Sequence, residues 1–395
     1  MKKRVALSGV VVIEVVMGIV LMVSTDHSRI ETTDFLNFYA AATIVRQGHG
    51  HDLYQPQTQQ KALEDILGRR VTEYYLHPPF EAALLAPLSY LSIERAFVIW
   101  TLLNLALLGL LPIVFAESIP FVANRPYLAL LGFVFPPVLA ALTLGQDSIL
   151  VLFSVSVAYM LCVTERDFQS GLVLALATVK FQIVLILALL LLLSRRFRLI
   201  AGFILGCAFL TLASVLVTGF AGLSQYFRFV RQFDLANGYG NISPDRMMNL
   251  RGLLTGLGWT DNSRLLSYIG SAILIALAIA CSRSFFNPGR RALVFALFVA
   301  TALAASPYNY FQDASLLLLP VFQALDSFAS GSFTGLGAKL IVSSCVLLFV
   351  WPVLLLAFGG HYFWNSRIYL VFPVILLFIA TLVVELYPRR QLLKS

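Results

Sequence analysis

Charged residues are scarce in this chain of 395 residues, in which 12% of the side chains are charged and 59% are hydrophobic. Soluble globular proteins carry roughly 25% charged residues, and about half that density does not keep a body of this size dispersed in water. Basic residues exceed acidic ones by 8, but they fall mostly between apolar runs, which indicates orientation in a membrane and argues against a nucleic-acid partner. The composition therefore predicts an integral membrane protein.

Cysteine is equally rare and lies only within apolar runs. No pair has CxxC spacing and no histidine accompanies any of the four, which are Cys162, Cys207, Cys281 and Cys345. This pattern excludes a disulfide framework and a structural zinc site. We interpret these residues as small apolar side chains of the core.

Long apolar runs are what the sequence has in abundance. A bilayer core roughly 30 Å thick needs about 20 apolar residues per helix. Runs near that length predict an all-α polytopic membrane protein with about twelve transmembrane helices, at residues 5–23, 80–91, 96–116, 127–144, 149–163, 171–193, 199–220, 265–281, 292–305, 314–325, 340–358 and 368–386. The runs at 80–91 and 314–325 are short, so either could be re-entrant.

Basic residues indicate how these runs are oriented. With an internal amino terminus, the arginines within residues 195–198, 283–291 and 389–390 are cytoplasmic, and the short outer loops carry only Arg125, Arg166 and Arg367. This asymmetry follows the positive-inside rule and is typical of a multi-pass protein of a bacterial inner membrane.

Two long outer segments, 24–79 and 221–264, are predicted within a single integral membrane domain of residues 1–395. Loops of this length tend to be functional, so an extracytoplasmic site is expected in them. Helical spacing of apolar residues predicts loop helices at 35–45 and 247–254.

Several polar residues interrupt the apolar runs. Lys180 lies in the middle of 171–193, where an ionised group costs about 2.5 to 3.5 kcal/mol and suggests a functional role. Alternatively, two short helices meet there and the ammonium reaches an interface. Glu14, in the first run, has the pattern of a helix-packing residue. Gln146 and Asp147 separate two runs; Asp147 has the position of a helix N-cap, and the role of Gln146 stays open.

Three residues of the outer segments could serve substrate chemistry. Asp34 precedes a predicted helix, so it is equally an N-cap or a general base that removes a hydroxyl proton. Arg251 is either an interfacial anchor or a ligand of a lipid phosphate. His77 precedes a Pro-Pro pair typical of a helix start, and we expect it to make a substrate contact at most.

The order of short motifs along the chain carries a family resemblance. These motifs are residues 34–41 (DFLNFYAA), 50–54 (GHDLY), 77–80 (HPPF), 86–88 (APL), Trp100, Asn104, 144–148 (LGQDS), 178–182 (TVKFQ), 249–253 (NLRGL) and 306–313 (SPYNYFQD). Each is weak by itself. In this order the chain resembles the polytopic glycosyltransferases of family 87, which include polyprenol-phosphate-mannose-dependent mannosyltransferases.

The resemblance implies a GT-C fold with extracytoplasmic loop helices, a polyprenyl-phosphate sugar donor, and neither a metal nor a cofactor. Asp34 matches the family's proposed base, which would activate an acceptor hydroxyl in an inverting displacement. The anionic leaving group needs positive charge, from Arg251 or Lys180. Donor or substrate contacts are expected from Gln146, His77, Tyr308, Asn309 and Asp313.

One departure from the family concerns Tyr308, which stands where members often have a histidine. Tyrosine does not titrate near neutral pH, so a role for an imidazolium is not expected at this position. The expected activity is hexose transfer, with mannose the leading sugar, to a lipid or glycan of the envelope. The rival hypotheses are a transporter or lipid flippase that uses Lys180 and Glu14, and an inactive scaffold with the same fold.

Overall fold

The computed structural model describes residues 30–71, 73–235, 243–333, 335–358 and 367–387. Every regular element in these ranges is a helix, which confirms the all-α prediction. The predicted span at 5–23, Glu14 within it, and the arginines at 389–390 lie outside the described residues.

The α-helices are numbered here in chain order, and short 3₁₀ helices connect several of them. They are α1 Phe35–Arg46, α2 Pro56–Leu67, α3 Pro79–Leu85, α4 Ile93–Ser118, α5 Pro120–Asn124, α6 Pro136–Leu144, α7 Ser148–Val163, α8 Asp167–Leu176, α9 Phe181–Leu193, α10 Phe197–Leu235, α11 Leu250–Gly256, α12 Ser263–Cys281, α13 Arg291–Ala305, α14 Leu318–Ala329, α15 Gly335–Phe358 and α16 Phe372–Leu386.

Within the described ranges, seven helical segments are long and apolar enough to cross a membrane, so the protein is a multi-pass membrane protein. They are Ile93–Ser118, Asp167–Leu193, Phe197–Gln232, Ser263–Phe286, Pro288–Ala305, Gly335–Leu355 and Ile368–Leu386. Each coincides with a predicted run. The count of about twelve is not supported.

Among the other predicted runs that the structure describes, residues 80–91 and 127–144 form shorter helices because their apolar stretches contain helix breaks. Residues 80–91 divide into α3 and the 3₁₀ helix Ala86–Tyr90, and residues 127–144 divide at the Pro136–Pro137 pair before α6. Proline lacks the amide hydrogen that a helix interior needs. Hydropathy measures apolar length and does not register such breaks.

The segment Asp167–Leu193 turns back on itself at Lys180. Its two helices, α8 and α9, are joined by the 3₁₀ helix Ala177–Lys180, and Lys180 has the non-helical angles φ −107° and ψ 57°. The Asp167 carboxylate accepts a hydrogen bond from Arg196, just beyond the end of α9. Both ends of the segment therefore lie on the same side, and two short helices do meet at Lys180.

This turn corrects the predicted side of Arg166. The neighbouring Glu165 forms an ion pair with Arg291, with 2.8 Å between the nitrogen and the oxygen. Arg166 therefore lies on the same side as the arginines at 195–198 and 283–291, and not on the opposite side as predicted. The reason is that residues 171–193 form two short helices that turn back at Lys180, and not the single transmembrane helix that was predicted.

Glycines let α8 pack closely against α10 and so fix the turn that carries Lys180. A Cβ atom on Gly202 would lie 2.0 Å from the Phe168 carbonyl oxygen, and one on Gly171 would lie 1.9 Å from the Leu199 carbonyl oxygen. Only a residue without a side chain permits backbones to approach this closely.

Two hydrophobic clusters make up the core. The larger is built from α4 to α9 and from α13 to α16, and the smaller, which we call the outer cluster, is built mainly from α1, α2, α3 and the start of α4. Tyr226 and Phe229 join the outer cluster from the far end of α10, beyond a kink at Gly219. The predicted loop helix at 35–45 is confirmed as α1, and Asp34 precedes it directly.

The close packing of α8 and α10 leads to a stability prediction. Gly202→Ala should lower the melting temperature in detergent, because overpacking costs about 1 to 3 kcal/mol. Gly337→Ala is the matched control, since a Cβ on that glycine meets nothing nearer than 3.9 Å. Equal melting temperatures for the two variants would contradict the packing described.

Candidate functional site

Asp34 occupies the N-cap position of α1, but its side chain makes no capping hydrogen bond. Instead, Gln146 Nε2 donates to Asp34 Oδ2 at 2.6 Å. The residue as a whole is partly exposed, and within the described part of the chain Oδ1 accepts no hydrogen bond. Of the two roles predicted for Asp34, capping is wrong.

A glycine turn brings Gln146 to Asp34. Gly145 ends α6 with φ +64°, and a Cβ there would lie 2.7 Å from Phe35 Cβ, so a side chain would push α1 away. The Trp100 indole donates to the Gly145 carbonyl oxygen at 2.8 Å and holds this turn. The turn in the sequence LGQDS (144–148) thus places the Gln146 side-chain amide against Asp34, the residue directly before α1.

Lys180 directs its ammonium group at acceptors within the protein. Its Nζ lies 2.9 Å from Gln146 Oε1, 3.0 Å from Asp147 Oδ1 and 3.4 Å from Asp313 Oδ1. The residue is 5% exposed. An ammonium has three donors, and these three acceptors match them. The charge at Lys180 is therefore neutralised by the protein itself.

His77 joins two further carboxylates to this group. Its Nδ1 lies 2.9 Å from Glu81 Oε2 and 3.2 Å from Asp147 Oδ2. Both acids are buried, and the Tyr75 hydroxyl donates to Glu81 Oε2 at 3.2 Å. Asp147 also lacks the predicted capping hydrogen bond, because its carboxylate lies between His77 and Lys180. His77 is thus part of a charged cluster and more than a contact residue.

Glu81 and Asp147 are site residues that the sequence pattern did not predict. Glu81 carries one usable signal, its position four residues after His77 across the start of α3. Asp147 precedes α7 directly, so its position predicted an N-cap and not an ion pair with Lys180 and His77.

Burial and neighbouring charges set the protonation of this cluster. Burial raises the pKa of Asp34, although the hydrogen bond from Gln146 and the charge of Lys180 lower it in part. Burial alone would lower the pKa of His77, but the charges of Glu81 and Asp147 outweigh burial and raise it to about 9. Burial would raise the pKa of Asp147, but Lys180 and His77 hold it well below its usual range.

His77, Glu81 and Asp147 are also the described residues whose spacing could hold a metal ion, with one ligand atom from each within 4.8 Å of the others. A metal would require His77 Nδ1 to lose its proton. The charges of Glu81 and Asp147 raise the pKa of His77 to about 9, which favours the protonated ring.

Asparagine side chains clamp the residues before α11 to the turn at 306–313. Asn309, fully buried, donates to the carbonyl oxygens of Met248 at 3.0 Å and Leu303 at 2.7 Å. Asn249 donates to the carbonyl oxygens of Ser306 at 2.9 Å and Pro307 at 3.1 Å. Asn309 is therefore engaged in holding the backbone.

Asp313 anchors the same turn to α7. Its Oδ1 accepts from the Ser148 hydroxyl at 2.8 Å and its Oδ2 from the Tyr310 amide at 2.9 Å. With Lys180 also on Oδ1, both oxygens have protein partners.

Both charges that were predicted for base and phosphate chemistry, those of Asp34 and Arg251, act on Tyr310. Burial raises the pKa of its hydroxyl, and the charges of Asp34 and Arg251 both act on it, in opposite directions. Arg251 is buried in the first turn of α11, and Tyr308 packs against the outer cluster. The structure thus joins Asp34, Gln146, Lys180, His77 and Asp313 in one network and sets Arg251 and Tyr308 beside it.

Comparison of the chain with known protein families assigns it to one of them. The sequence model of glycosyltransferase family 87 matches residues 75–307, which is more than half of the chain. This range includes His77, Gln146, Lys180 and Arg251, but not Asp34. No curated protein and no solved structure matches the chain.

The charge on His77 predicts how stability depends on pH. A group whose pKa is raised from 6.5 to about 9 on folding stabilises the protein fully below 6.5 and loses that effect as the pH rises through 9. The difference in the free energy of unfolding between the native protein and His77→Gln should therefore shrink from pH 7 to pH 10 by an amount on the order of 1 to 3 kcal/mol. The measurement is the melting temperature of both proteins across this range, which should converge as the pH rises. His51→Gln is the control, because that side chain is 64% exposed. A constant difference across this range would contradict the charged state.

Proposed function

The chain belongs to glycosyltransferase family 87, and on that premise we propose that it transfers a hexose from a polyprenyl-phosphate donor to a lipid or glycan acceptor of the bacterial envelope. Mannose is the first sugar to test. The single observation that supports this chemistry is the Asp34 carboxylate, which is held through one oxygen and has the other without a partner in the described residues.

In the proposed reaction Asp34 is the general base. It takes the proton of the acceptor hydroxyl while that oxygen bonds to the anomeric carbon of the donor sugar. The bond from the anomeric carbon to the phosphate oxygen breaks on the opposite face, polyprenyl phosphate leaves, and the configuration inverts. Partial burial suits this role, because a carboxylate with a raised pKa is a stronger base.

We assign the departing phosphate to Arg251. Lys180 was the other candidate, but its three donors face Gln146, Asp147 and Asp313. A guanidinium can bind phosphate through two parallel hydrogen bonds. The charges of Arg251 and Asp34 both act on Tyr310, which supports a donor position near both groups. Tyr308 and His77 are the proposed neighbours of the sugar.

The arrangement of the helices supports an extracytoplasmic site. The ends of α7, α9 and α12 that lie away from Asp34 carry the arginines at 166, 195–198 and 283–291. Short loops rich in arginine remain cytoplasmic. The network around Lys180 then lies toward the outer leaflet, where membrane lipids surround the apolar side chains of α10, such as Leu216 and Phe220.

The transporter or flippase hypothesis has less support. It required a central pathway through Lys180 and Glu14, but Glu14 lies outside the described residues, and the Lys180 ammonium is enclosed by acceptors. Family membership also favours transfer chemistry.

Replacement of Asp34 tests the proposed base. Asp34→Asn should lower kcat by about 10²- to 10⁴-fold, because the amide cannot accept the hydroxyl proton. The measurement is transfer of radiolabelled mannose from polyprenyl-phosphate mannose by purified protein, with an acceptor-lipid extract. Asp52→Asn, in the same outer segment, is the matched control and should keep full activity. Undiminished transfer by Asp34→Asn would remove the observation on which the proposal depends.

Cysteine labelling tests which side the site faces. In a variant without the four native cysteines, Gln47→Cys should react with a membrane-impermeant maleimide added to intact cells, because Gln47 is exposed at the end of α1. Arg166→Cys, also exposed, should react only after permeabilisation. The reverse pattern would place the site in the cytoplasm.

A further inference from the structure

Gln146 lies between an ion that can only donate hydrogen bonds and an ion that can only accept them. Its Oε1 accepts from the Lys180 ammonium at 2.9 Å, and its Nε2 donates to Asp34 Oδ2 at 2.6 Å. An ammonium has no acceptor, and an ionised carboxylate has no donor. Only one of the two orientations of the amide satisfies both partners, since the reverse would set oxygen against carboxylate and NH₂ against ammonium.

Lys180 is itself held in place from behind. Asp147 and Asp313 lie 3.0 and 3.4 Å from its Nζ, and both carboxylates are buried. If the ammonium moved toward Asp34 or toward a substrate, these two charges would lose their partner, which is strongly unfavourable in a buried setting. Lys180 therefore provides a fixed position from which the Gln146 amide is oriented.

We propose that Lys180 and Gln146 are positioning residues for the base, and that neither contacts the donor phosphate. Lys180 selects the orientation of the Gln146 amide, and the amide holds Asp34 Oδ2, which leaves Oδ1 to take the acceptor proton. This inference rests on the proposed function. The buried lysine of this site then orients the Gln146 amide and does not bind phosphate.

Other charges also act on Asp34, and they determine what a pH experiment would show. Lys180 and His77 lower the pKa of Asp34, whereas Asp313 raises it. Asp34 and Arg251 both act on Tyr310, and Glu81 and Asp147 complete the cluster around His77 and Lys180. On the side of α1, Glu73 accepts a hydrogen bond from Asn37 and Arg46 lies in the last turn. Because Gln146 and Lys180 both lower the pKa of Asp34, their removal should move the acid limb of the kcat/KM profile to higher pH.

Gln146→Met provides the cleanest test because it changes no charge. It removes one hydrogen bond to a charged group, so kcat should fall by about 10- to 100-fold. The acid limb should move up in pH, and the Kd for polyprenyl-phosphate mannose should change by less than about threefold, since no phosphate contact is lost.

Lys180→Met tests the second half of the pair. Its kcat should fall, and the acid limb should shift to higher pH as in Gln146→Met. The kcat of the double variant Lys180→Met with Gln146→Met should be no more than about threefold below that of Lys180→Met alone, because both residues act through the hydrogen bond from Gln146 to Asp34. Lys339→Met, which removes an exposed lysine of α15, is the matched control and should behave as the native protein. If Lys180→Met does not fold, as judged by its melting temperature, Gln146→Met still decides the question.

Three results would overturn the proposal. These are a rise of about tenfold or more in donor Kd for Lys180→Met with an unshifted acid limb, multiplicative effects in the double variant, and an unshifted acid limb in Gln146→Met. The proposed function has its own test in Asp34→Asn. An inactive Asp34→Asn together with an unshifted Gln146→Met would reject the positioning role alone.

Discussion

The burial of the Lys180 ammonium is the constraint on which the arrangement of the site depends. A buried charge without partners costs several kcal/mol, so acceptors must be brought to it from elsewhere in the chain. They come from the turn between α6 and α7, as Gln146 and Asp147, and from the turn after α13, as Asp313. The break between α8 and α9 supplies the lysine itself. One ammonium thereby joins three turns at the same end of the helix bundle.

The same network connects the outer cluster to the larger core. Apolar contacts between two layers specify position only loosely, because they have little directional preference. Two polar interactions between the clusters are directional. Asp34, next to the outer cluster, accepts a hydrogen bond from Gln146, and His77 lies between Glu81 and Asp147. Asp34 is therefore held at the boundary between the outer cluster and the larger core.

Two acids show why local pattern misleads at such a site. Asp34 and Asp147 each occupy the position before a helix, which predicts capping, and neither side chain caps. For a charged carboxylate, a buried cation or an oriented side-chain amide is a stronger partner than the backbone N–H groups at the start of α1 or α7. Capping is a local signal, and a partner far away in sequence overrides it.

The sequence by itself determined the all-α membrane class, the positions of the long apolar runs, helix α1 and the family resemblance, because composition and periodicity are local properties; its count of about twelve spans was not supported. It also singled out Asp34, Gln146, Lys180 and Arg251. Only the tertiary structure decided that residues 171–193 turn back at Lys180, that Glu81 and Asp147 enclose His77, and that Gln146 reaches Asp34 across 112 positions. Those contacts depend on which helix ends meet, and that is set by packing of the whole chain and not by any short stretch of it.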